Sequence, residues 1–137
     1  MGYDRSYGSE NESFTVDDLQ RVRVLVERAG NGAGLSQSNA EDLVAAVNEV
    51  AVNAVLYAGG GGSITIAQSP DGVSVEISDD GPGLPAGVTP QLPPPRALGG
   101  RGLWIARRLC KRFTISSSPR GVTVRMFMPI RFVEACA

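Results

Sequence analysis

The sequence predicts an α+β fold, a two-layer sandwich with helices on one face of a mostly antiparallel mixed sheet. Two helical patterns come first, and two pairs of alternating segments follow, each pair joined by a turn sequence. A stretch rich in proline and glycine separates the two pairs. With 137 residues, 42% of them hydrophobic, the chain is long enough for one domain and too short for two. We expect a disordered leader over 1–13, the domain over 14–132 and a short tail over 133–137.

Composition excludes several kinds of function. A formal net charge of −1 provides no whole-chain basic field, so we expect no direct nucleic-acid partner. The absence of any long apolar run or signal-like start predicts a cytoplasmic protein without a membrane partner. No histidine is present, which excludes histidine general bases, Cys/His zinc sites and phosphohistidine on this chain. Lys111 is the single lysine, so a Walker-type phosphate loop is excluded, and Cys110 and Cys136 are expected to be free thiols.

The first two helices are predicted from capping signals and apolar spacing. Thr15 and Asp18 have the spacing of a capping box, and the amphipathic stripe behind them predicts a helix that Gly30 closes. A second capping box, Ser38 with Glu41, predicts a helix that runs to about Ala58, before a run of four glycines. This second helix is apolar nearly all round, which indicates that it is largely buried.

The second half of the chain predicts two hairpins around a loop and a helix. Residues 63–68 and 73–78 alternate with period two around the turn sequence at 69–72. Residues 80–100 are too rich in proline and glycine for helix or central strand, and such long loops are often binding loops or lids. A helix over about 103–112 and a second hairpin, 113–118 with 122–130, complete the fold.

Three places carry possible chemistry. Glu49 and Asn53 are four residues apart on one face of the second helix, where they either pair with each other or the backbone, or supply hard oxygen ligands suited to Mg²⁺. Asp79 ends a strand, and Gly81 and Gly83 either form a turn or leave space for a ligand. The segment "GGRGLW" at 99–104 opens a helix, where glycines either hinge the loop or expose backbone N–H groups to an anion.

Taken together, in this order and spacing, the three motifs resemble those of the GHKL ATPases, a group that includes gyrase-type ATPase domains and sensor histidine kinases. The compact length and "GGRGLWIARRL" look most like the small anti-sigma-factor serine kinases, and the resemblance covers roughly 14–130. It implies ATP and Mg²⁺ as cofactors. It also implies a sigma factor and an anti-anti-sigma antagonist protein as partners, with a homodimer possible.

The resemblance assigns roles residue by residue. Asn53 would coordinate Mg²⁺, Glu49 would orient or activate the attacking group, and Asp79 would accept a hydrogen bond from the adenine amine. The segment over about 84–97 would be a lid. Gly81 and Gly83 would lie against the nucleotide, and Gly100 and Gly102, with Leu103, would lie at its phosphates. Arg96 or Arg101 would neutralise the charge that develops on the terminal phosphate.

Three departures from the family pattern leave two functions open. Val52 stands where threonine is usual, and Val122 follows Gly121 where threonine usually backs the adenine-binding aspartate. Thr123 comes one residue after the usual position of that threonine, so its side chain faces the opposite side of the strand. Leu98 stands where the kinases of the family commonly have a lid arginine. The first function is a protein serine kinase that sequesters a sigma factor; the alternative is a catalytically weak, nucleotide-gated binding module. A sensor histidine kinase is disfavoured because no phosphoacceptor histidine is present.

Overall fold

The computed structural model describes residues 8–84 and 101–130, within which three helices cover one five-stranded sheet. The helices are α1 Leu19–Ala33, α2 Gln37–Tyr57 and α3 Arg101–Leu109; the strands are β1 Ser9–Thr15, β2 Gly61–Gln68, β3 Gly72–Ser78, β4 Arg112–Ser118 and β5 Gly121–Pro129. The strand order is β1-β2-β3-β5-β4, and every described pairing is antiparallel. The predicted α+β fold class is thereby confirmed.

Strand β1 corrects the predicted leader. Ser9–Thr15 pairs along its whole length with β2, from Ser9 opposite Ala67 to Thr15 opposite Gly61. Most of its side chains are exposed, but Phe14 is 2% exposed and joins the core. Backbone pairing with β2 and burial of this one aromatic ring offset the entropy of ordering a polar segment. The predicted disorder is therefore wrong for residues 9–13, and residues 1–7 lie outside the described residues.

Helix α1 begins as predicted and ends later. The capping box is present, since the Thr15 backbone N–H donates to Asp18 Oδ2 at 2.9 Å and Asp17 N–H donates to Thr15 Oγ1 at 3.3 Å. A 3₁₀ turn over Val16–Asp18 leads into the helix. The helix passes through Gly30 and ends at Gly34, whose φ of 95° is the left-handed conformation that favours glycine as a helix terminator. The predicted end at Gly30 is therefore wrong.

Helix α2 is the central buried helix. Ser36 caps its start by accepting a hydrogen bond from the Asn39 N–H at 3.0 Å, so the predicted cap at Ser38 is two residues late. Seven of its side chains form a large part of the core: Ala40, Leu43, Ala46, Val47, Val50, Ala51 and Ala54. Helices α1 and α3 pack against it on either side, while α2 itself lies over the central strands.

Both hairpins predicted from period two are confirmed. The β2–β3 turn is closed by backbone hydrogen bonds between Ser69 and Gly72 in both directions, at 2.9 and 3.3 Å. The third helix starts and ends earlier than the predicted 103–112, because Arg112 pairs with Phe127 in the sheet. Of the predicted loop over 80–100, residues 85–100 lie outside the described residues, as do residues 131–137, which include the predicted tail over 133–137.

The two faces of the sheet differ in chemistry. The face toward the helices buries aliphatic and methionine side chains, while the outer face carries mostly small polar and charged residues together with Phe127. Alternation along each strand produces this division, because successive side chains point to opposite faces. Among the helices of 8–84 and 101–130, none is long and apolar enough to cross a membrane.

Candidate nucleotide-binding site

Asp79 lies directly after β3 and is held in place by backbone donors. Its Oδ1 accepts hydrogen bonds from the Gly81 N–H at 3.0 Å and from the Val122 N–H at 3.2 Å. The Asp79 N–H in turn donates to the Val122 carbonyl oxygen at 3.0 Å, which extends the β3–β5 ladder by one residue. In the described part of the chain both bonds to the carboxylate fall on Oδ1. Oδ2 is therefore the oxygen that a ligand amine can reach without displacing either bond.

The neighbouring glycines serve the packing of the chain itself. A Cβ on Gly81 would lie 2.7 Å from Ala58 Cα, at the end of α2. Gly83 has φ 95°, and a Cβ there would lie 2.5 Å from the Ser118 carbonyl oxygen. Packing within the chain therefore requires both glycines, and their predicted clearance for a ligand that lies against the backbone stays a prediction.

Two hydrogen bonds near Asp79 were not predicted from the sequence. The backbone of Val122 binds Asp79, although its side chain is only 8% exposed and packs in the core. Ser117 Oγ, on β4, accepts from the Leu84 N–H at 3.0 Å and fixes the chain just after Gly83. Every residue except proline has a backbone N–H, so the residue type at 122 does not predict this hydrogen bond. It follows only from the pairing of β5 with β3.

Thr123 does not replace the missing threonine. Its Oγ1 lies 3.1 Å from Ser78 Oγ, and the two residues are direct partners across β3 and β5. Asp79 instead contacts the preceding residue, Val122. This pair confirms the expectation that the side chains of Thr123 and Val122 face opposite sides of β5.

Glu49 lies against the first turn of α3. Gly102 has no side chain, and a Cβ there would lie 2.9 Å from Glu49 Oε1 and 3.5 Å from the Glu49 carbonyl oxygen. Any larger residue at 102 would therefore displace the carboxylate. The N-terminus of a helix is electropositive, so this turn favours an anion beside it. The structure thus brings two of the predicted motifs together.

Asn53 lies one turn beyond Glu49 on α2, and both side chains are half-buried. Within 8–84 and 101–130, neither side chain has a hydrogen-bond partner. By contrast, Asn48 on the same helix accepts from Arg23 Nη1 at 2.8 Å. The alternative that Glu49 and Asn53 pair with each other is therefore not observed. A carboxylate and an amide oxygen without partners fit Mg²⁺, which prefers hard oxygen ligands and needs few from protein.

The other predicted site residues are described incompletely. Arg96, Leu98 and Gly100 lie outside the described residues, and Arg101 is described only as the first residue of α3. Leu103 is fully buried in the core, so its side chain cannot contact a nucleotide and only its backbone could do so. Val52 is half-buried on α2.

A solvent-open cavity of about 690 Å³ adjoins Asp79. Gly59–Gly62 and the end of β1 line it, together with the carboxylates of Asp17, Asp79 and Asp80. Its volume suits a small ligand, but three carboxylates make it unfavourable for a polyphosphate. The start of α3, with its backbone N–H groups, is the better place for phosphates.

The contact between α2 and α3 also contains a thiol. Burial, and to a smaller degree the negative charge of nearby Asp42, together raise the pKa of Cys110 to about 12. A thiol with this pKa stays protonated at neutral pH and is a poor nucleophile. Cys110 is free, as predicted, while Cys136 lies outside the described residues.

The fold and the order of these motifs define the class, an ATPase domain of the kind found in histidine kinases. The family model of the histidine kinase-like ATPase domain matches residues 13–128. The chain belongs to this family, whose domains bind ATP. No curated protein matches the chain.

Three solved structures are similar in fold. The RsbU and RsbW domains of Rv1364c from Mycobacterium tuberculosis match with 20% identity and a TM-score of 0.64, over 95% of this chain and 35% of that one. The histidine kinase domain of the Erythrobacter litoralis EL346 blue-light activated histidine kinase matches with 18% identity and a TM-score of 0.54, over 86% and 68%. The Acinetobacter baumannii histidine kinase AdeS matches with 14% identity and a TM-score of 0.55, over 90% and 68%. The chain thus spans about a third of the first of these.

Proposed function

We propose that the protein is an ATP-binding regulator of the anti-sigma-factor type, a protein serine kinase that phosphorylates an anti-anti-sigma antagonist and sequesters a sigma factor. Membership of the histidine kinase-like ATPase family supports ATP as the ligand. Fold similarity to a chain that contains an RsbW domain supports this branch of the family. The observation that carries the proposal is the position of Glu49 beside the first turn of α3, at Gly102.

In this proposal Asp79 reads the base. Two backbone N–H groups fix Oδ1, so Oδ2 is presented in one orientation to an exocyclic amine. A carboxylate accepts from such an amine and disfavours a base that offers a carbonyl oxygen at the same place. This contact would distinguish adenine from guanine.

The phosphates would lie between α2 and the start of α3. Backbone N–H groups of the first turn of α3, with the helix dipole, bind anionic oxygens. Asn53 would hold Mg²⁺ through its amide oxygen, and the metal when bound would screen the charge of the phosphates. Arg96 or Arg101 would add positive charge as transfer proceeds.

Glu49 would serve the transfer step. The serine hydroxyl of the antagonist attacks the terminal phosphorus, its O–P bond forms, and the bond from phosphorus to the β–γ bridging oxygen breaks to leave ADP. The Glu49 carboxylate accepts the hydroxyl proton. Its placement at Gly102 keeps this base beside the phosphate-binding turn.

The test is phosphorylation of candidate antagonist proteins with Mg-ATP. Glu49→Gln keeps the side-chain size beside Gly102 and removes the base, so serine phosphorylation is expected to fall by about two to four orders of magnitude while ATP binding persists. Glu41→Gln is the matched control, because Glu41 is exposed on the same helix and contacts Gln37. Transfer that survives Glu49→Gln undiminished would contradict the assigned role.

The second candidate function is a nucleotide-gated binding module without turnover. The observation in its favour is that Asp79 is held by the Val122 backbone, with an aliphatic side chain where the family usually has a hydroxyl. Calorimetry decides between the two. Binding of ATP without phosphate release or transfer to any antagonist would select the binding module, whereas turnover in the parent that is lost in Glu49→Gln would exclude it.

A further inference from the structure

A cavity of about 460 Å³ lies on the outer face of the sheet, opposite the helices. It is open to solvent and extends over β2, β3, β5 and β4. Six of the side chains around it decide its chemistry: Ala67, Ser74, Glu76, Arg112, Arg125 and Phe127. Val75 and Met126 are buried toward the helices, so their neighbours along β3 and β5 face outward. We call this opening the outer-face cavity.

The strand register shows that these side chains surround one opening. Four of them are direct partners across the four strands and form one row: Ala67, Ser74, Phe127 and Arg112. Glu76 and Arg125 are direct partners in the next row on the same face, two residues along their strands and about 7 Å away. Four strands at their usual spacing span about 14 Å. These dimensions and the volume suit a small molecule with one or two rings.

Phe127 forms an aromatic wall of the cavity. The Arg112 guanidinium, from β4, lies over this ring at 4.6 Å from its centre. On the other side, toward β3 and β2, the direct partners in the row are Ser74 and then Ala67, both of which are small. The half-buried ring therefore borders space that a flat apolar group can fill, with the offset or edge contacts that aromatic rings favour.

The charged groups around the cavity favour an anion. Arg125 donates to Glu76 Oε1 at 3.0 Å through Nε, which leaves its two Nη groups for another acceptor. Arg112 is exposed and forms no ion pair with a residue of 8–84 or 101–130. Two guanidinium groups and one carboxylate give this opening a net positive charge. A guanidinium binds a carboxylate with two parallel hydrogen bonds, so a carboxylate is the anion that fits best.

Stabilisation of the sheet explains only part of this arrangement. The ion pair between Glu76 and Arg125 and the stacking of Arg112 on Phe127 are both cross-strand pairs, which stabilise neighbouring strands. Neither pair requires a small residue at 67. A longer side chain at that position would fill the cavity and leave both pairs in place.

We infer that the outer-face cavity binds a small-molecule carboxylate with a flat apolar body. The body lies over Ala67 and Ser74 beside the Phe127 ring, and the carboxylate binds Arg112 or the free Nη groups of Arg125. Charge complementarity identifies this ligand, since the opening has a net positive charge. A second copy of the chain fits less well, because it would bring the same net positive charge to the same place.

This cavity is separate from the candidate nucleotide-binding site. Phe127 lies five residues beyond Val122 on β5, which corresponds to about 17 Å along the strand. The cavity also faces away from the helices that carry Glu49 and Gly102. The inference therefore does not rest on the proposed function, and each can fail without the other.

Binding of 2-naphthoate tests the inference in the absence of nucleotide. This probe has a flat two-ring body and one carboxylate, and its own fluorescence reports its surroundings. We expect saturable binding with one site per chain, confirmed by calorimetry. The neutral 2-naphthamide has the same rings without the charge, and its affinity should be lower by about two- to fivefold.

Two variants separate the shape of the cavity from its charge. Ala67→Leu fills the space beside Phe127, so the affinity for 2-naphthoate should fall by about tenfold or more. Its matched control is Ser116→Leu, on the same outer face but outside the cavity lining. Arg112→Gln should lower the affinity by about two- to fivefold, whereas Arg120→Gln, in the turn after β4, should bind as the parent does. Thermal unfolding checks that each variant is folded.

Several results would overturn the inference. They include the absence of saturable binding by the folded parent, undiminished binding by Ala67→Leu, and equal affinities for 2-naphthoate and 2-naphthamide. Displacement of the probe by ATP, with loss of binding in Asp79→Asn, would place the probe in the nucleotide site instead. A parent dimer in sedimentation experiments that dissociates in Ala67→Leu would assign this face to a second copy of the chain.

Discussion

The two ends of the candidate site are built differently. At the proposed base end, the Asp79 carboxylate accepts two backbone hydrogen bonds, and its position follows from the pairing of β3 with β5. At the proposed phosphate end, Glu49 and Asn53 have no hydrogen-bond partner in the described part of the chain. The first end is preorganised by the fold, whereas the second keeps its polar atoms for a ligand. Changes at the base end should therefore affect nucleotide affinity, and changes at the phosphate end should affect phosphate transfer or the preference for ATP over ADP.

The largest effect on nucleotide affinity is expected from Asp79→Asn. The amide can keep one acceptor for the Gly81 and Val122 N–H groups but turns a donor toward the adenine amine. We expect affinity for ATP and for ADP to fall by on the order of a hundredfold, measured by calorimetry.

Asp79→Ala separates affinity from stability. It removes the carboxylate that accepts from the Gly81 and Val122 N–H groups and leaves both donors without an acceptor. The free energy of unfolding should therefore also fall by about 1–3 kcal/mol. Equal nucleotide affinity in the parent and in both Asp79 variants would show that the base end lies elsewhere.

Gly102→Ala should affect the phosphate end with little harm to the fold. The added Cβ would displace Oε1 of Glu49, the mobile end of a side chain, while alanine is favoured over glycine in a helix by up to about 1 kcal/mol. We expect phosphate transfer, or the preference for ATP over ADP in a binding module, to drop by about tenfold or more. Thermal unfolding checks the fold, and a large loss of stability would argue against this account of Gly102.

Val122→Thr tests how far the backbone bond substitutes for the hydroxyl usual in the family. The residue is 8% exposed, so a buried hydroxyl should cost about 1–3 kcal/mol of unfolding free energy. ADP affinity should rise by no more than a few-fold, because Asp79 is already fixed by the Val122 N–H. A much larger gain would mean that the base end is poorly organised in the parent.

The smallest effect at neutral pH is expected from Cys110→Ala, away from both ends. The pKa of the folded-state thiol, about 12, lies above its ordinary value of 9.0, so the unfolded chain loses this proton first as pH rises. Stability from this group is present below pH 9 and is lost between about 9 and 12. Urea denaturation across that range should give a shallower decline in the variant, and parallel curves would contradict the buried thiol.

Local patterns predicted the helices and the hairpins, and long-range pairing decided the rest. Period two identified both hairpins because alternation is a property of neighbouring residues. The contact of Asp79 with Val122 joins residues 43 apart and depends on the register of β5. The packing requirement for glycine at Gly81 was missed for the same reason, since the atoms that crowd this position belong to the end of α2.

The ends of elements show the same limit. Gly30 has the residue type of a helix terminator, yet a Cβ there would lie 3.1 Å from Leu35 Cδ1, so close packing accounts for the glycine. Gly34, four residues on, has the left-handed φ that ends the helix. Either glycine satisfies the sequence signal. The helix ends at the second, where the Gly34 N–H donates to the Asn31 carbonyl oxygen at 3.2 Å and the Leu35 N–H donates to the Gly30 carbonyl oxygen at 3.0 Å.

Strand β1 has a consequence for how the chain avoids polymerising. It covers the open edge of β2, and two of its own residues are glutamates, which discourage pairing with another sheet. A chain shortened to begin after Thr15 would present β2 as a bare edge, because Ile64 and Ile66 would lose their strand partners Glu12 and Glu10. Such a chain would be prone to form β-sheet aggregates. The polar start of the domain thus acts as a guard against fibre growth.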